Sequence, residues 1–230
     1  MSFRPARRHV LAGAGALAAT RVWADPASPG VVRVTLQTGQ GPIVLELAGD
    51  RAPISVANFL RYVDTHRYDG SSFYRAVKAP GAPQFGLVQA GIRDGAKLLP
   101  PIAHESTLKT GILHKDGTIS LARREQGTAR SDFFVCVGDA SYLDADPKAP
   151  GDNAGFAAFG HVVEGMDVVR KILALPVSPT AGAPEMAGQM LEPAVPIVTA
   201  RRSPMPAPAA APPAAPVTPN PAAPPPAAKP

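Results

Sequence analysis

Between residues 31 and 199 the chain is a succession of short, β-rich apolar runs broken by Gly, Pro and Asp, and this pattern constrains the fold more than any other feature. Val31 to Leu36 and Ile43 to Leu47 are joined by Thr38-Gly39-Gln40-Gly41-Pro42, whose glycines supply the backbone freedom that a hairpin reversal needs. Further runs lie at Phe73-Tyr74-Arg75, Phe85 to Gly91, Gly117 to Arg123, Ser131 to Val137 and Phe156 to Val162, and Val195 to Thr199 reads as a closing strand. Only two stretches carry helical spacing. Pro53 suits the first turn of a helix over about residues 53–65, with Val56, Phe59, Leu60 and Val63 on one face, and Gly165 to Leu173 gives a second, shorter helix. Many strands with two helices argue for a mainly β fold, a closed antiparallel barrel, because closure leaves no exposed edge.

The ends are expected to lie outside this core. Arg4, Arg7 and Arg8, then the apolar run Val10 to Ala19, then small residues to Ala24 form an export signal pattern over residues 1–24. The apolar run is about ten residues, half the roughly 20 of a membrane-spanning helix, so no stable membrane insertion is expected. Arg7-Arg8 resembles the twin-arginine export signature. The exported, periplasmic domain would then span 28–202. Residues 203–230, almost wholly Pro and Ala, bury too little apolar surface to offset ordering entropy and read as a disordered tail.

The formal net charge of +5 suggests an acidic partner until the signal is considered. Without its four arginines, Arg21 included, 19 of the 23 basic residues face 18 acidic ones. A nearly neutral protein lacks the electrostatic footprint of nucleic-acid binding. Cys136, the single cysteine, cannot form an internal disulfide and reads as a small buried hydrophobe. His66, His104, His114 and His161 show no paired metal-ligand spacing, and Asp144, Asp146 and Asp152 lack the spacing of a calcium loop, so no metal is assigned.

The stretch from Tyr68 to Gly91 places a guanidinium, Arg75, on one aromatic segment and a side-chain amide, Gln89, on a second. Pairing the two segments would bring both polar groups to one apolar surface. Taken alone, an arginine on such a strand is an ordinary surface or ion-paired residue.

The motifs taken together make a different case. Gly41-Pro42-Ile43, Ala52-Pro53 with Asn58-Phe59, Tyr68-Asp69-Gly70 before Phe73-Tyr74-Arg75, Val88-Gln89-Ala90-Gly91, Gly117 to Arg123, Ser131-Asp132-Phe133-Phe134, Tyr142-Leu143-Asp144 and Phe159 to Val169 occur in one order. In that order the chain resembles the cyclophilin family of peptidyl-prolyl cis-trans isomerases, especially bacterial exported members, over about residues 31–200. The resemblance implies a closed eight-stranded antiparallel barrel capped by two helices, no cofactor, a monomer, and proline-containing unfolded or partly folded polypeptides as partners.

It also implies roles. Arg75 matches the family's catalytic arginine and Gln89 its substrate-binding glutamine; Phe134 matches the floor of the proline pocket, Leu143 a wall, and Ala122 the small residue beside the substrate backbone. Tyr142 falls where many members have Trp, and Phe73, Leu87 and Phe85 complete the expected substrate-binding set. The chain departs from the family pattern at Tyr74 and Phe156, where His is usual, and at Asp132, where Gln is usual. The segment between Arg75 and Gln89 is longer by roughly half a dozen residues, placing Gly86 at an aromatic wall position. Two functions fit: an isomerase in which Arg75 stabilises the twisted X-Pro amide, or a proline-peptide binding module with little turnover.

Overall fold

The β-rich runs pair as their turn residues dictate. In the computed structural model, which describes residues 30–205, β1 (Val31–Thr38) and β2 (Gly41–Ala48) form the expected hairpin, in register from Val31 opposite Ala48 to Thr38 opposite Gly41. The remaining strands are β3 (Ser71–Ala79), β4 (Ala82–Gly91), β5 (Thr118–Leu121), β6 (Phe133–Val137), β7 (Ala157–Glu164), the two-residue β8 (Val177–Ser178) and β9 (Met190–Ser203). Every pairing is antiparallel, in the order β1-β2-β7-β5-β6-β4-β3-β9, and β9 returns to pair with β1. Eight strands thus close a ring, with β8 attached to β9 outside it. The closing strand is longer than the run Val195 to Thr199 because it serves three neighbours, β1, β3 and β8.

The two expected helices are α1 (Pro53–Asp64) and α3 (Met166–Ala174). A single-turn helix, α2 (Thr107–Thr110), lies between them; its four residues are too short to leave a periodic apolar signature in the sequence. Strand β2 starts at Gly41, beside the Val168 side chain of α3, and ends at Ala48, from which the chain turns directly into α1. The two long helices therefore close opposite mouths of the barrel. Pro53 opens α1, and the preceding Ala52 has no side chain able to cap it. The buried Glu105 supplies the cap instead, its two carboxylate oxygens accepting from the Ile54 and Ser55 N–H groups at 3.1 and 2.7 Å. A carboxylate there satisfies two orphan donors and complements the helix dipole.

The interior is filled by side chains of the inward faces. Phe59 of α1 packs on Tyr68, Phe133 and Phe159 with ring centroids 5.1–5.4 Å apart, and all four are wholly buried. Each such side chain contributes roughly 1.5–3 kcal/mol on burial. Since the lumen is packed, any ligand site must lie on the barrel's outer wall or rim. Residues 1–24, expected as a signal, and nearly all of the expected tail lie outside the described residues.

Candidate active site

Side chains alternate along a strand, so Phe73 and Arg75 would ordinarily share one face. A bulge separates them. Phe73 is opposite Ala90 and Arg75 is opposite Gln89, which leaves Tyr74 as an extra residue on β3. Beyond the bulge the inward series resumes at Ala76, opposite Val88. Arg75 thereby turns to the outer wall, where pairing aligns Arg75, Gln89, Phe134 and Ser120 across β3, β4, β6 and β5. Phe73 stays behind: it is wholly buried in the barrel, 5.9 Å from Phe133 in an edge-on contact. Its expected substrate-binding role is corrected, because the bulge divides it from its neighbours.

Arg75 is held on two sides. Its Nη1 donates to Gln89 Oε1 at 3.0 Å, and its Nε and Nη2 donate to Gln189 Oε1 at 2.8 and 2.5 Å. Gln89 in turn donates from Nε2 to the Tyr74 hydroxyl at 2.6 Å, so both ends of its amide are oriented by this chain. Burial draws the Arg75 pKa down from its ordinary value, opposed by Tyr74 and Glu185. A guanidinium starts high enough to remain a cation regardless. Gln189 escaped sequence reasoning because nothing local marks it. It reaches Arg75 because Met190 pairs opposite Arg75 and the Gln189 carbonyl accepts the Ala76 N–H at 2.8 Å.

Beside Arg75 opens a cleft of about 710 Å³. Leu87, Ala122, Phe134, Leu143 and Phe156 form its apolar part, packed together over Cys136. Tyr142 stands at the rim and is 76% exposed. Phe134 is fixed from two directions: the Phe156 ring meets it edge-on at 5.4 Å, and the His114 imidazole stacks on it at 5.8 Å. Of the expected set, Arg75, Leu87, Gln89, Ala122, Phe134, Tyr142 and Leu143 line this one cleft. Phe85 does not. The longer segment between Arg75 and Gln89 is an extension of the β3–β4 hairpin turning at Pro80-Gly81, and it carries the Phe85 ring onto Gly138, 48% exposed. Gly86 is required in that extension, since a side chain there would collide with the Val77 carbonyl at 1.9 Å and its φ is +144°.

His114 bonds Asp144 Oδ1 through Nδ1 at 2.7 Å and Ser120 Oγ through Nε2 at 2.9 Å. Ser, His and Asp in line suggest a nucleophilic triad. Ser120 is wholly buried, however, so no substrate carbonyl reaches its oxygen, and the trio acts as a brace beneath Phe134. Burial lowers the His114 pKa against the pull of Asp144. Cys136, buried as expected, has its thiol pushed up to about 12 by burial, which makes it unfit as a thiolate nucleophile.

A polar region adjoins the apolar one, lined by Tyr74, Arg93, Arg124, Thr128, Arg130 and Asp132. The loop that forms much of its wall is tied to the barrel: Asn58 Nδ2 donates to the Arg130 carbonyl at 2.6 Å, and the Tyr68 hydroxyl to that of Ser131 at 2.8 Å. Asp132 Oδ1 is buried over Gly91 with no hydrogen-bond partner, and burial raises its pKa, countered by Arg93 and the Tyr74 hydroxyl.

An eight-stranded barrel with a packed lumen, carrying an arginine beside an aromatic-floored cleft on its outer wall, is the cyclophilin class of architecture. The family model "Cyclophilin type peptidyl-prolyl cis-trans isomerase/CLD" matches residues 33–200, and the chain belongs to that family. A peptidyl-prolyl cis-trans isomerase of Acinetobacter baylyi is 36% identical over 149 residues, covering 63% of this chain and 73% of that protein. Peptidyl-prolyl cis-trans isomerase A of Dickeya dadantii is 37% identical over 143 residues, covering 60% and 70%. A solved Cryptosporidium parvum cyclophilin type isomerase has the same fold, with TM-score 0.56, 16% identity, and coverage of 76% of this chain and 99% of the other.

Proposed function

We propose that the protein catalyses cis-trans isomerisation of X-Pro peptide bonds, with Arg75 as the catalytic residue. The observation that carries this reading is the Arg75 guanidinium held between Gln89 and Gln189 beside the apolar floor of Phe134. Rotating a peptide bond costs about 18–20 kcal/mol because twisting breaks amide resonance. In the twisted state the proline nitrogen becomes pyramidal and gains a lone pair that the planar amide lacks. A fixed cationic donor at that nitrogen binds the transition state better than either ground state, which is the condition for catalysis. No proton is transferred and no covalent bond forms.

The neighbours divide the remaining work. Phe134, Leu143, Leu87 and Phe156 accept the proline ring, while Gln89 anchors the substrate backbone with the hydrogen-bonding capacity left to its amide. A millionfold acceleration needs about 8 kcal/mol, more than one hydrogen bond supplies, so desolvation and orientation in the cleft share the effect. Support for proline peptides as the ligand also comes from the Cryptosporidium parvum structure obtained in the presence of the dipeptide Ala-Pro, at TM-score 0.58.

The decisive measurement is exchange spectroscopy on a proline peptide. Arg75→Ala is expected to lower the catalysed rate by about 100-fold with peptide binding largely retained. Equal rates for the two proteins would refute the assignment, and binding without turnover by either would identify a binding module instead.

The proposal places the enzyme in the periplasm, acting on unfolded or partly folded chains, on the strength of the basic, apolar and small-residue succession in residues 1–24. N-terminal sequencing of the periplasmic fraction should find a chain starting near Asp25. An intact Met1 terminus in the cytosol would reject export.

A further inference from the structure

We propose that the polar region of the cleft selects proline segments bearing an acidic residue within a few positions of the proline, with Arg124 and Arg130 as the principal specificity determinants. This rests on the isomerase reading of the same cleft and deepens it. Five arginines line the cleft, Arg75, Arg93, Arg123, Arg124 and Arg130, against one carboxylate, Asp132. Arg75 is committed to the two glutamines, and Arg123 to Asp152 and the Gly155 carbonyl. Arg93 lies over the Tyr74 ring at 4.8 Å. Among the described residues no ion pair involves Arg93, Arg124 or Arg130, and all three are exposed.

Asp132 offsets at most one of these charges, through its attraction to Arg93, and its inner oxygen is buried over Gly91, so the wall keeps a positive excess centred on Arg124 and Arg130. The excess extends past Arg93 into an adjoining hollow of about 230 Å³ with Arg67 and Lys97 on its walls. There the single carboxylate, Asp94, faces three cations, Arg67, Arg93 and Lys97, so the balance stays positive. Like charges gathered on one wall of a concave surface focus a field that attracts anions. Guanidinium forks match a carboxylate in geometry as well as charge. A peptide whose proline occupies the apolar part must run its flanking residues across this wall, which makes a peptide carboxylate, rather than a nucleic-acid phosphate, the fitting anion.

The test is a set of dissociation constants, by NMR titration, for Ala-Pro peptides flanked on either side by Ala, Glu or Lys. On at least one flank Glu should bind at least about fivefold tighter than Lys at low salt, with the preference shrinking to under about twofold at 0.5 M salt as exposed charges are screened. In the Arg124→Gln/Arg130→Gln double variant the Glu-to-Lys ratio should approach one. Equal binding of all peptides, a preference that survives the double substitution, or tighter binding of a thymidine oligonucleotide than of the Glu peptide would each overturn the proposal. Turnover of the Ala-flanked peptide reports on the isomerase reading alone, so the two can fail separately.

Discussion

One side-chain oxygen, Gln189 Oε1, receives two N–H groups of Arg75, Nε at 2.8 Å and Nη2 at 2.5 Å, from a position 114 residues further along the chain. With Nη1 given to Gln89, the plane of the guanidinium is set by the barrel and not by a substrate. A donor oriented before binding needs no reorganisation at the moment of reaction.

Gln189→Ala is therefore expected to reduce isomerisation about tenfold, in line with the roughly 1.5–3 kcal/mol of hydrogen bonds to a charged group. The loss should fall on kcat, with KM changed less than about twofold. A variant with wild-type kcat would show that Arg75 needs no such positioning.

Of the three phenylalanines assigned to the pocket from sequence, Phe73 is buried inside the barrel, and kinetics should distinguish the other two. Phe134→Ala removes the cleft floor and should raise KM about tenfold or more, with some loss of stability from the cavity. Phe85→Ala, whose ring lies over Gly138 outside the cleft lining, should leave KM within about twofold. An equal rise for both would mean that Phe85 reaches the substrate.

Asp132 gives a pH prediction with a definite sign. Burial holds its carboxyl above the ordinary value of 3.8, so the folded state keeps its proton more tightly than the unfolded chain. The contribution of this group to stability is present below pH 3.8 and is lost as pH rises through the raised folded value. Asp132→Asn should therefore stabilise the protein at pH 7 by about 1 kcal/mol, the scale of a buried unsatisfied polar group. The gain should vanish near pH 3.8 in thermal melts. A gain independent of pH, or a loss at pH 7, would contradict this account.

His114 has the opposite sign. Its folded pKa is lowered from 6.5, so its contribution is complete above pH 6.5 and lost as pH falls from there through the lowered value. His114→Ala should cost about 3 kcal/mol at pH 7, from a cavity and two stranded polar partners, Asp144 and Ser120. The acid limb beginning at pH 6.5 should be shallower in the variant. An unchanged pH profile would place that limb elsewhere.

Much of the fold was legible along the chain because its determinants are local. Period-two runs and Gly-Pro reversals mark strands and hairpins, and the spacing of Val56, Phe59, Leu60 and Val63 marks α1. The Thr107–Thr110 turn was not, since four residues show no period. Within the site, Arg75, Gln89 and Phe134 were recognisable as residue types set in ordered motifs, and pairing across β3, β4 and β6 does bring them into one row.

What the sequence by itself determined, then, is the eight strands of the ring, the closed barrel they form, and the chemical identity of the donor and the floor; the two-residue β8 is too short to leave a pattern. Tertiary structure decided which face each side chain occupies and which distant residue meets it. The bulge at Tyr74 turned Arg75 outward while leaving Phe73 inside, the hairpin extension carried Phe85 away, and ring closure through β9 delivered Gln189. The physical reason is that a one-residue change of register reverses the face of every side chain beyond it, and contacts between remote segments depend on how the whole sheet closes.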